Sequence, residues 1–529
     1  MILQTILEFK NYFIGLICKI NKQYVYFAAI HFIVSFFSDN FIIQYANVPV
    51  GRLVFVKLIF LIFLILIWQL AAYVIANYKK SEKIHNYLFF TLIYFNAMLL
   101  ILILFFPGNI KEHSDFFYLA KGIRLETTLL YEPVIMEYFR FFSFMLFPCI
   151  AGIAISQLLV ISLIVGFVIS EFYSIIKSKL IYLLYLPFFM FLVIENNLFI
   201  DTCIIYSYLM LLLFMKLLLI KINNQKINTG DIIIMGFLPV LLANLRAEGI
   251  VILIAVPVMF LMDNYKKYDK KQLIQFMFIL IFSILIFFPK YIDTYFQNEG
   301  NKVYGKLFIL DGTFDFLLKK AVDEKNKNIL SEFSQDKTLK LELLMPPKAN
   351  INMDFYMRLK GREIDEFNHL IDKLMKNYRT AYLKRKLHGI FVGVYDQKIY
   401  KFDKQYEFKD NLPVKPLYDS IEKMLKVNFC FRNNIVDFVQ KLINKKSSIH
   451  VPFYILCFIM IVSAVLLKKT WFFISFLTLL HGFLVVVFAP YGMFRYVFNI
   501  YLIGYAALII FIVFILDSLI NKKKLTIFI

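Results

Sequence analysis

The stretch GDIIIMGFLPVLLANLRAEGIVILIAVPVMFLMDN, residues 230–264, decides the architecture of this chain. Between its polar ends it is apolar, and only Asn244, Arg246 and Glu248 interrupt it. As one helix it would be about 52 Å long, far beyond the roughly 30 Å hydrocarbon core of a bilayer. We therefore expect two short helices, 231–245 and 248–264, with Arg246 and Glu248 at the turn between them. A re-entrant pair is the alternative.

The composition of the whole chain is that of a membrane protein. Its 529 residues are 60% hydrophobic, with a mean hydropathy of +0.69. A soluble fold of this composition would expose far too much apolar surface, whereas apolar runs near the roughly 20 residues of a membrane span recur along the chain. The predicted fold is an all-α polytopic membrane protein. We expect about 12 transmembrane helices, near 24–44, 53–77, 85–106, 146–174, 180–195, 201–220, 231–245, 248–264, 272–292, 451–467, 470–489 and 495–518.

Lysine-rich loops set the predicted orientation. Short loops carrying lysine should face the cytoplasm, and every such loop obeys this rule only if 230–264 crosses the membrane twice. Both termini are then cytoplasmic, in a multi-pass protein of the inner (plasma) membrane. The chain divides into an N-terminal transmembrane core at 1–292, an extracytoplasmic domain at 293–450 and C-terminal transmembrane helices at 451–529. Lys57 and Lys216, near span ends, are expected to extend their ammonium groups to the membrane surface.

The domain at 293–450 is predicted to be mixed and mainly helical. Apolar residues recur with helical periodicity at 314–322 and 363–376, and a β-like patch runs over 390–395. The chain shows no Walker, GxGxxG or zinc-finger pattern, which argues against an ATP-driven pump or a nucleotide-using enzyme. Nucleic acid is not an expected partner on this side of a membrane, despite a net charge of +21.

Polar and charged residues gather in the loops assigned to the outer face. The first such loop, at 107–145, contains Glu112, His113 and Asp115, and the others lie at 195–201, 244–249 and 490–496. No comparable cluster of acids is expected on the cytoplasmic side. Charge near the hydrocarbon layer is costly and therefore suggests a functional site. A carboxylate with convergent arginines suits deprotonation of an acceptor hydroxyl beside a departing phosphate.

The motifs in these loops resemble those of a known family. Pro107-Gly108 is followed by a polar stretch with Asp115, an Ala-x-Gly step at 120–122 and Pro133. The motifs that come after these are Phe147-Pro148, Gln157, the Asn-Leu-Arg-Ala-Glu-Gly segment at 244–249 and the Phe-Arg-Tyr-Val-Phe segment at 494–498. Together they resemble GT-C membrane glycosyltransferases of the bacterial polyprenyl-phosphate-sugar dependent type. The resemblance covers roughly 85–290 and 450–518 and does not reach 293–450.

This resemblance implies transfer of a sugar from a polyprenyl-phosphate donor to a cell-envelope glycan, lipid or protein acceptor on the outer face. Asp115 would be the general base on the acceptor hydroxyl, with Glu112 and His113 beside it in the substrate-binding loop. Asp201 would have an orienting or metal-holding role, which leaves a divalent metal ion as an optional cofactor. Membrane lipids would be further partners. Arg246 and Arg495 would face the lipid phosphate, and Glu248 and Tyr496 would be further substrate-binding residues.

The chain departs from the family pattern at several positions. Ser114 and Phe116 flank Asp115 where an aromatic residue is typical, and Glu132 replaces a histidine before Pro133. Asn499 stands where the family has its final proline, and the first catalytic loop is preceded by two helices more than the simplest members have. These departures leave the sugar and the acceptor unspecified.

Simpler structural roles compete with each functional assignment. Asp115 and Asp201 are also suited to cap helices. Arg246 and Glu248 can form a self-satisfied ion pair that stabilises the turn. Arg495 can anchor at the membrane interface beside Tyr496. His481, inside an apolar span, is expected to serve helix packing or hydrogen bonding.

Three other functions compete with the glycosyltransferase hypothesis. A transporter or flippase of a lipid-linked or anionic substrate fits twelve spans, but such proteins place polar groups near the bilayer midplane and often in repeated halves. A polysaccharide polymerase or ligase would place its chemistry at Arg379, Arg385 and His388 of the outer domain. A purely structural membrane protein leaves the outer-face carboxylates unexplained.

Overall fold

The computed structural model describes residues 21–39, 50–105, 134–148, 151–188, 202–223, 227–264, 270–296, 314–333, 362–392, 450–466, 468–488 and 497–521. All regular structure in these ranges is helical. The α-helices are α1 (Lys22–Val34), α2 (Val50–Asn77), α3 (Glu82–Phe105), α4 (Val134–Leu146), α5 (Ala151–Ile176), α6 (Thr202–Asn223), α7 (Thr229–Leu245), α8 (Ile250–Asn264), α9 (Lys270–Phe296), α10 (Phe314–Asp323), α11 (Lys327–Leu330), α12 (Arg362–Asn377), α13 (Arg379–Val392), α14 (His450–Val465), α15 (Lys469–Phe488) and α16 (Phe498–Asn521). Short 3-10 helices cover Ser35–Ser38, Lys179–Leu184, Ala247–Gly249 and Ser331–Phe333.

Apolar helices long enough to cross a bilayer recur in the described part of the chain. By length and composition these are the segments Leu53–Asn77, Glu82–Ile101, Ala154–Ile176, Cys203–Ile222 and Phe498–Asp517. Shorter apolar segments are Lys179–Phe188, Thr229–Leu245, Ile250–Met262, Gln272–Leu285, Val451–Val465 and Lys469–Val485. The all-α class is thus confirmed for the described residues, and the apolar helices support a membrane protein. The count of twelve spans stays a prediction.

One predicted span begins later than expected. The helix expected at 146–174 is α5, which starts at Ala151, and a separate helix, α4, ends at Leu146. Pro148 lies between them, and proline disfavours helical geometry in the residue before it. Helix α4 is amphipathic and packs against the Ser35–Ser38 turn, α5 and α7.

The predicted helices of the outer domain are confirmed, and its β-like patch is wrong where the structure describes it. Helices α10 and α12 cover the two periodic segments at 314–322 and 363–376. Residues 390–392, predicted as β-like, continue α13. Extending an existing helix by one more turn is favourable, whereas β propensity depends strongly on a neighbouring strand.

Two hydrophobic cores organise the described residues. The large core joins the apolar helices: α5 packs on α3 and α6, α7 packs on α8 and α9, and α16 packs on α6, α14 and α15. The small core lies within the segment predicted to be the outer domain and joins α10, α11 and α12 through Leu317, Ile329, Phe367 and Leu370, which are fully buried. Helix α13 contacts α15, so this domain packs against the apolar helices.

Ion pairs tie several helix ends together. At ends assigned to the cytoplasm, Nζ of Lys83 lies 2.5 Å from Glu171 and Nζ of Lys216 lies 2.7 Å from Asp231. Buried acids therefore do occur on this side, each paired with a lysine.

The expectation that Lys57 and Lys216 extend to the membrane surface is wrong. Lys57 is 4% exposed and pairs with Asp39 at 2.7 Å.

Candidate functional site

The turn between α7 and α8 is built by the sequence Arg-Ala-Glu-Gly. Arg246 leaves the helix in an extended conformation (φ −152, ψ 138), and its N–H still donates to the carbonyl of Leu242. The N–H of Gly249 donates to the carbonyl of Arg246 at 2.9 Å. A Cβ atom on Gly249 would lie 2.5 Å from the carbonyl oxygen of Leu242, so the turn requires glycine here. The prediction of two helices with Arg246 and Glu248 between them is confirmed.

Arg246 and Glu248 form a forked ion pair across this turn. Nη2 donates to Oε1 at 2.9 Å and Nε donates to Oε2 at 3.3 Å. The two side chains are only 10% and 13% exposed. Burial by itself raises the pKa of Glu248, but the charge of Arg246 and its hydrogen bonds outweigh burial and lower this pKa to about 2. Both partners are therefore charged at neutral pH, and their charges cancel.

The first two turns of α6 supply further contacts to Arg246. Nη1 of Arg246 donates to Sγ of Cys203 at 2.6 Å. The guanidinium carbon lies 6.0 Å from the ring centre of Tyr206, one helical turn further along. All three nitrogens of the guanidinium thus have partners within the protein.

His481 on α15 and Asn499 on α16 complete the group. The imidazole of His481 stacks on the ring of Tyr206, with ring centres 5.0 Å apart and an interplanar angle of 23°. Nδ2 of Asn499 lies 3.1 Å from Nδ1 of His481. An amide N–H can only donate, so Nδ1 accepts and the proton of the neutral ring sits on Nε2. We call Cys203, Tyr206, Arg246, Glu248, His481 and Asn499 the Arg246 cluster.

The Arg246 cluster joins helix ends that the orientation prediction assigns to the outer face. It comprises the start of α6, the turn after α7, the outer half of α15 and the start of α16. Conversely, the Lys83–Glu171 and Lys216–Asp231 pairs join ends assigned to the cytoplasm. Each of these contacts therefore joins parts of helices that are assigned to the same side of the membrane. Antiparallel packing of membrane-crossing helices requires this.

Most of the predicted site residues lie outside the described residues. These are Glu112, His113, Asp115, Asp201, Arg495 and Tyr496. Their roles stay predictions. Arg246 and Glu248 are placed, and the structure brings them together as the self-satisfied pair that was one of the two alternatives.

Sequence reasoning missed most of the other members. Tyr206 and Cys203 were not singled out, and Asn499 was noted only as a departure from the family pattern. The predicted packing or hydrogen-bonding role of His481 is confirmed, since it stacks on Tyr206 and bonds Asn499. A histidine and an asparagine inside apolar helices were the available signal, since polar groups there need partners or a function. Arg140 was also missed. It is fully buried on α4, which packs on α7.

Two other predictions, a metal ion and chemistry in the outer domain, concern different residues. Among the described residues, no group of three or more His, Cys, Asp or Glu side chains could hold a metal ion. On α13, the guanidinium of Arg385 lies 5.3 Å from the ring centre of Phe316, and Arg379 is exposed. His388 follows on the same helix.

Comparisons with protein-family models, with curated proteins and with solved structures each find no match. The function of the chain is therefore inferred from its own residues.

Proposed function

We propose that this chain is a GT-C-like integral membrane glycosyltransferase with about twelve transmembrane helices. It transfers a sugar from a polyprenyl-phosphate donor to a glycan, lipid or protein acceptor of the cell envelope, on the outer face of the membrane. The observation that carries the proposal is the Arg246 cluster, which gathers three separate parts of the chain around one buried ion pair.

The chain next to the cluster supports this assignment. Asp201 precedes Cys203 by two residues, and Arg495 precedes Asn499 by four. Cys203 at the start of α6 contacts Arg246, and Asn499 at the start of α16 contacts His481. The starts of α6 and α16 therefore meet in the Arg246 cluster.

The proposed reaction is a direct displacement at the anomeric carbon. Asp115 takes the proton of the acceptor hydroxyl as its oxygen forms the new glycosidic bond. The bond between the anomeric carbon and the phosphate oxygen breaks, and polyprenyl phosphate leaves with the electron pair. Arg495 stabilises the leaving charge through forked hydrogen bonds. Arg246 already has its charge balanced by Glu248, so its contribution to the phosphate is smaller than the family resemblance implies.

The experiment that tests the proposal is transfer of labelled sugar from a panel of polyprenyl-phosphate sugars, in membranes that contain the protein. Asp115→Asn should abolish transfer at an unchanged protein level. Glu126→Gln in the same predicted loop is the matched control that should retain transfer, because Glu126 has no predicted role in the site. Activity that survives Asp115→Asn but is lost in His388→Ala would instead favour the polymerase or ligase hypothesis, with its chemistry on α13.

The transporter or flippase alternative is favoured by a different observation. The pairs Lys57–Asp39 and Lys216–Asp231 are buried beside apolar helices, and buried ion pairs are a feature of coupled transport. Absence of transfer from every donor, together with lipid-linked sugar translocation in proteoliposomes, would establish that alternative.

A further inference from the structure

Three buried polar atoms of the Arg246 cluster have no hydrogen-bond partner among the residues that the structure describes. They are the hydroxyl of Tyr206, Nε2 of His481 and Oδ1 of Asn499. Each of these residues is only 1% exposed. Leaving a buried polar group unsatisfied is costly, and native proteins rarely accept this cost without a reason.

The hydrogen-bonding character of these atoms is fixed by their neighbours. Nδ1 of His481 accepts from Asn499, so Nε2 carries the proton and donates. Oδ1 of Asn499 can only accept, while the hydroxyl of Tyr206 can do either. The three atoms without a partner are therefore one hydrogen-bond donor, one acceptor and one group that can do both. Ligand hydroxyl groups, which also donate and accept, match such a set.

The charge of the cluster points to the same class of ligand. Arg246 and Glu248 cancel each other, and all three guanidinium nitrogens are already engaged. His481 is neutral in the arrangement that accepts from Asn499. A buried site without net charge has nothing to offset the desolvation of an ionic ligand, so it favours an uncharged one.

We propose that the Arg246 cluster binds a neutral, hydroxyl-bearing sugar ring through Tyr206, His481 and Asn499, and that it does not bind the donor phosphate. This inference rests on the proposed function, which it deepens by naming the substrate class: an uncharged sugar, not a uronic acid or an amino sugar. It also reassigns Arg246. Arg246 then does not bind the lipid phosphate. It is a positioning residue that holds Cys203 and Tyr206 in place.

The test measures binding by the full-length protein in nanodiscs. The probes are a polyprenyl-phosphate-linked neutral hexose, its uronic acid analogue and polyprenyl phosphate alone. Wild-type protein should bind the neutral hexose more tightly than the uronic acid. Tyr206→Phe removes only the hydroxyl and should weaken hexose binding by about 3- to 10-fold, the equivalent of one hydrogen bond, without changing the binding of polyprenyl phosphate.

Tyr182→Phe is the matched control, because Tyr182 is 39% exposed and lies outside the cluster. It should change none of the three affinities. Asn499→Leu, which also removes the partner of His481, should weaken hexose binding at least as much as Tyr206→Phe does.

Two results would overturn the inference. Equal weakening of all three probes in Tyr206→Phe would assign the cluster to the phosphate or to the fold. No weakening of any probe would mean that water or the protein itself satisfies these atoms. The result is separate from the transfer assay, because selective hexose binding in a protein that transfers nothing would disprove the glycosyltransferase proposal and leave the sugar site standing.

Discussion

Nζ of Lys216 on α6 lies 2.7 Å from Oδ1 of Asp231, in the first turn of α7. The carboxylate of Asp231 also accepts from the backbone N–H of Asn228 at 3.0 Å, while Oδ1 of Asn228 accepts from the N–H of Asp231. One buried carboxylate thus caps α7 and fastens it to α6.

Lys216→Met should strongly destabilise the protein. It leaves Asp231 buried without its cationic partner, and breaking a buried ion pair typically costs about 3–5 kcal/mol. The measurement is the thermal unfolding temperature of the purified protein in detergent. Lys320→Met is the control, since the side chains of Lys320 and its partner Glu324 are 38% and 50% exposed and loss of this pair should cost much less. Similar unfolding temperatures for the two variants would show that Lys216–Asp231 does not stabilise the fold.

Gly249→Ala should prevent the Arg-Ala-Glu-Gly turn from closing. The new Cβ atom would meet backbone atoms of Leu242, and backbone cannot move aside as a flexible side chain can. We expect little folded protein by size-exclusion chromatography. Gly51→Ala on α2 is the matched control, because its Cβ meets nothing within 4 Å. Normal yield of Gly249→Ala would contradict the described turn.

Glu248→Gln should lower stability in a way that depends on pH. The folded-state pKa of Glu248, about 2, lies below its ordinary value of 4.5. The carboxylate therefore contributes stability that is fully present above pH 4.5 and is lost as the pH falls towards 2. The difference in unfolding temperature between wild type and Glu248→Gln should be constant from pH 6 to 8 and should shrink below about pH 4.5. A difference that is unchanged at pH 3 would contradict this assignment.

Tyr378→Phe should loosen the outer domain locally. Its hydroxyl donates to Glu324 at 2.9 Å and accepts from Asn326 at 3.1 Å, which connects the end of α12 to the segment between α10 and α11. Losing these bonds should cost about 1 kcal/mol. Hydrogen–deuterium exchange should increase in α10 and α12 and stay unchanged in α6 and α16. Faster exchange in all four helices would indicate global destabilisation instead.

Helix positions could be predicted from the sequence because they depend on local pattern. The boundaries of α6, α7 and α8 follow from apolar lengths and from one polar interruption, and Arg246 with Glu248 falls in the turn as expected. Residues 390–392 show the limit of such reasoning, because their β-branched and aromatic side chains were outweighed by the helix that precedes them.

Partners across helices could not be predicted in the same way. Lys57 and Lys216 were expected to reach water because each stands near a span end, but the carboxylate that binds each of them lies on another segment of the chain. His481 and Asn499 meet only because α15 packs on α16. Asp115, the candidate base, stays a prediction.

The Arg246 cluster also dictates an order of assembly during synthesis. Cys203, Tyr206, Arg246 and Glu248 leave the ribosome long before His481 and Asn499, which follow the whole outer domain. Because Arg246, Glu248 and Cys203 satisfy one another, the early helices can enter the membrane without an isolated charge. The C-terminal helices then arrive as the last component, and a truncated chain that stops before α14 would be inserted but would lack His481 and Asn499.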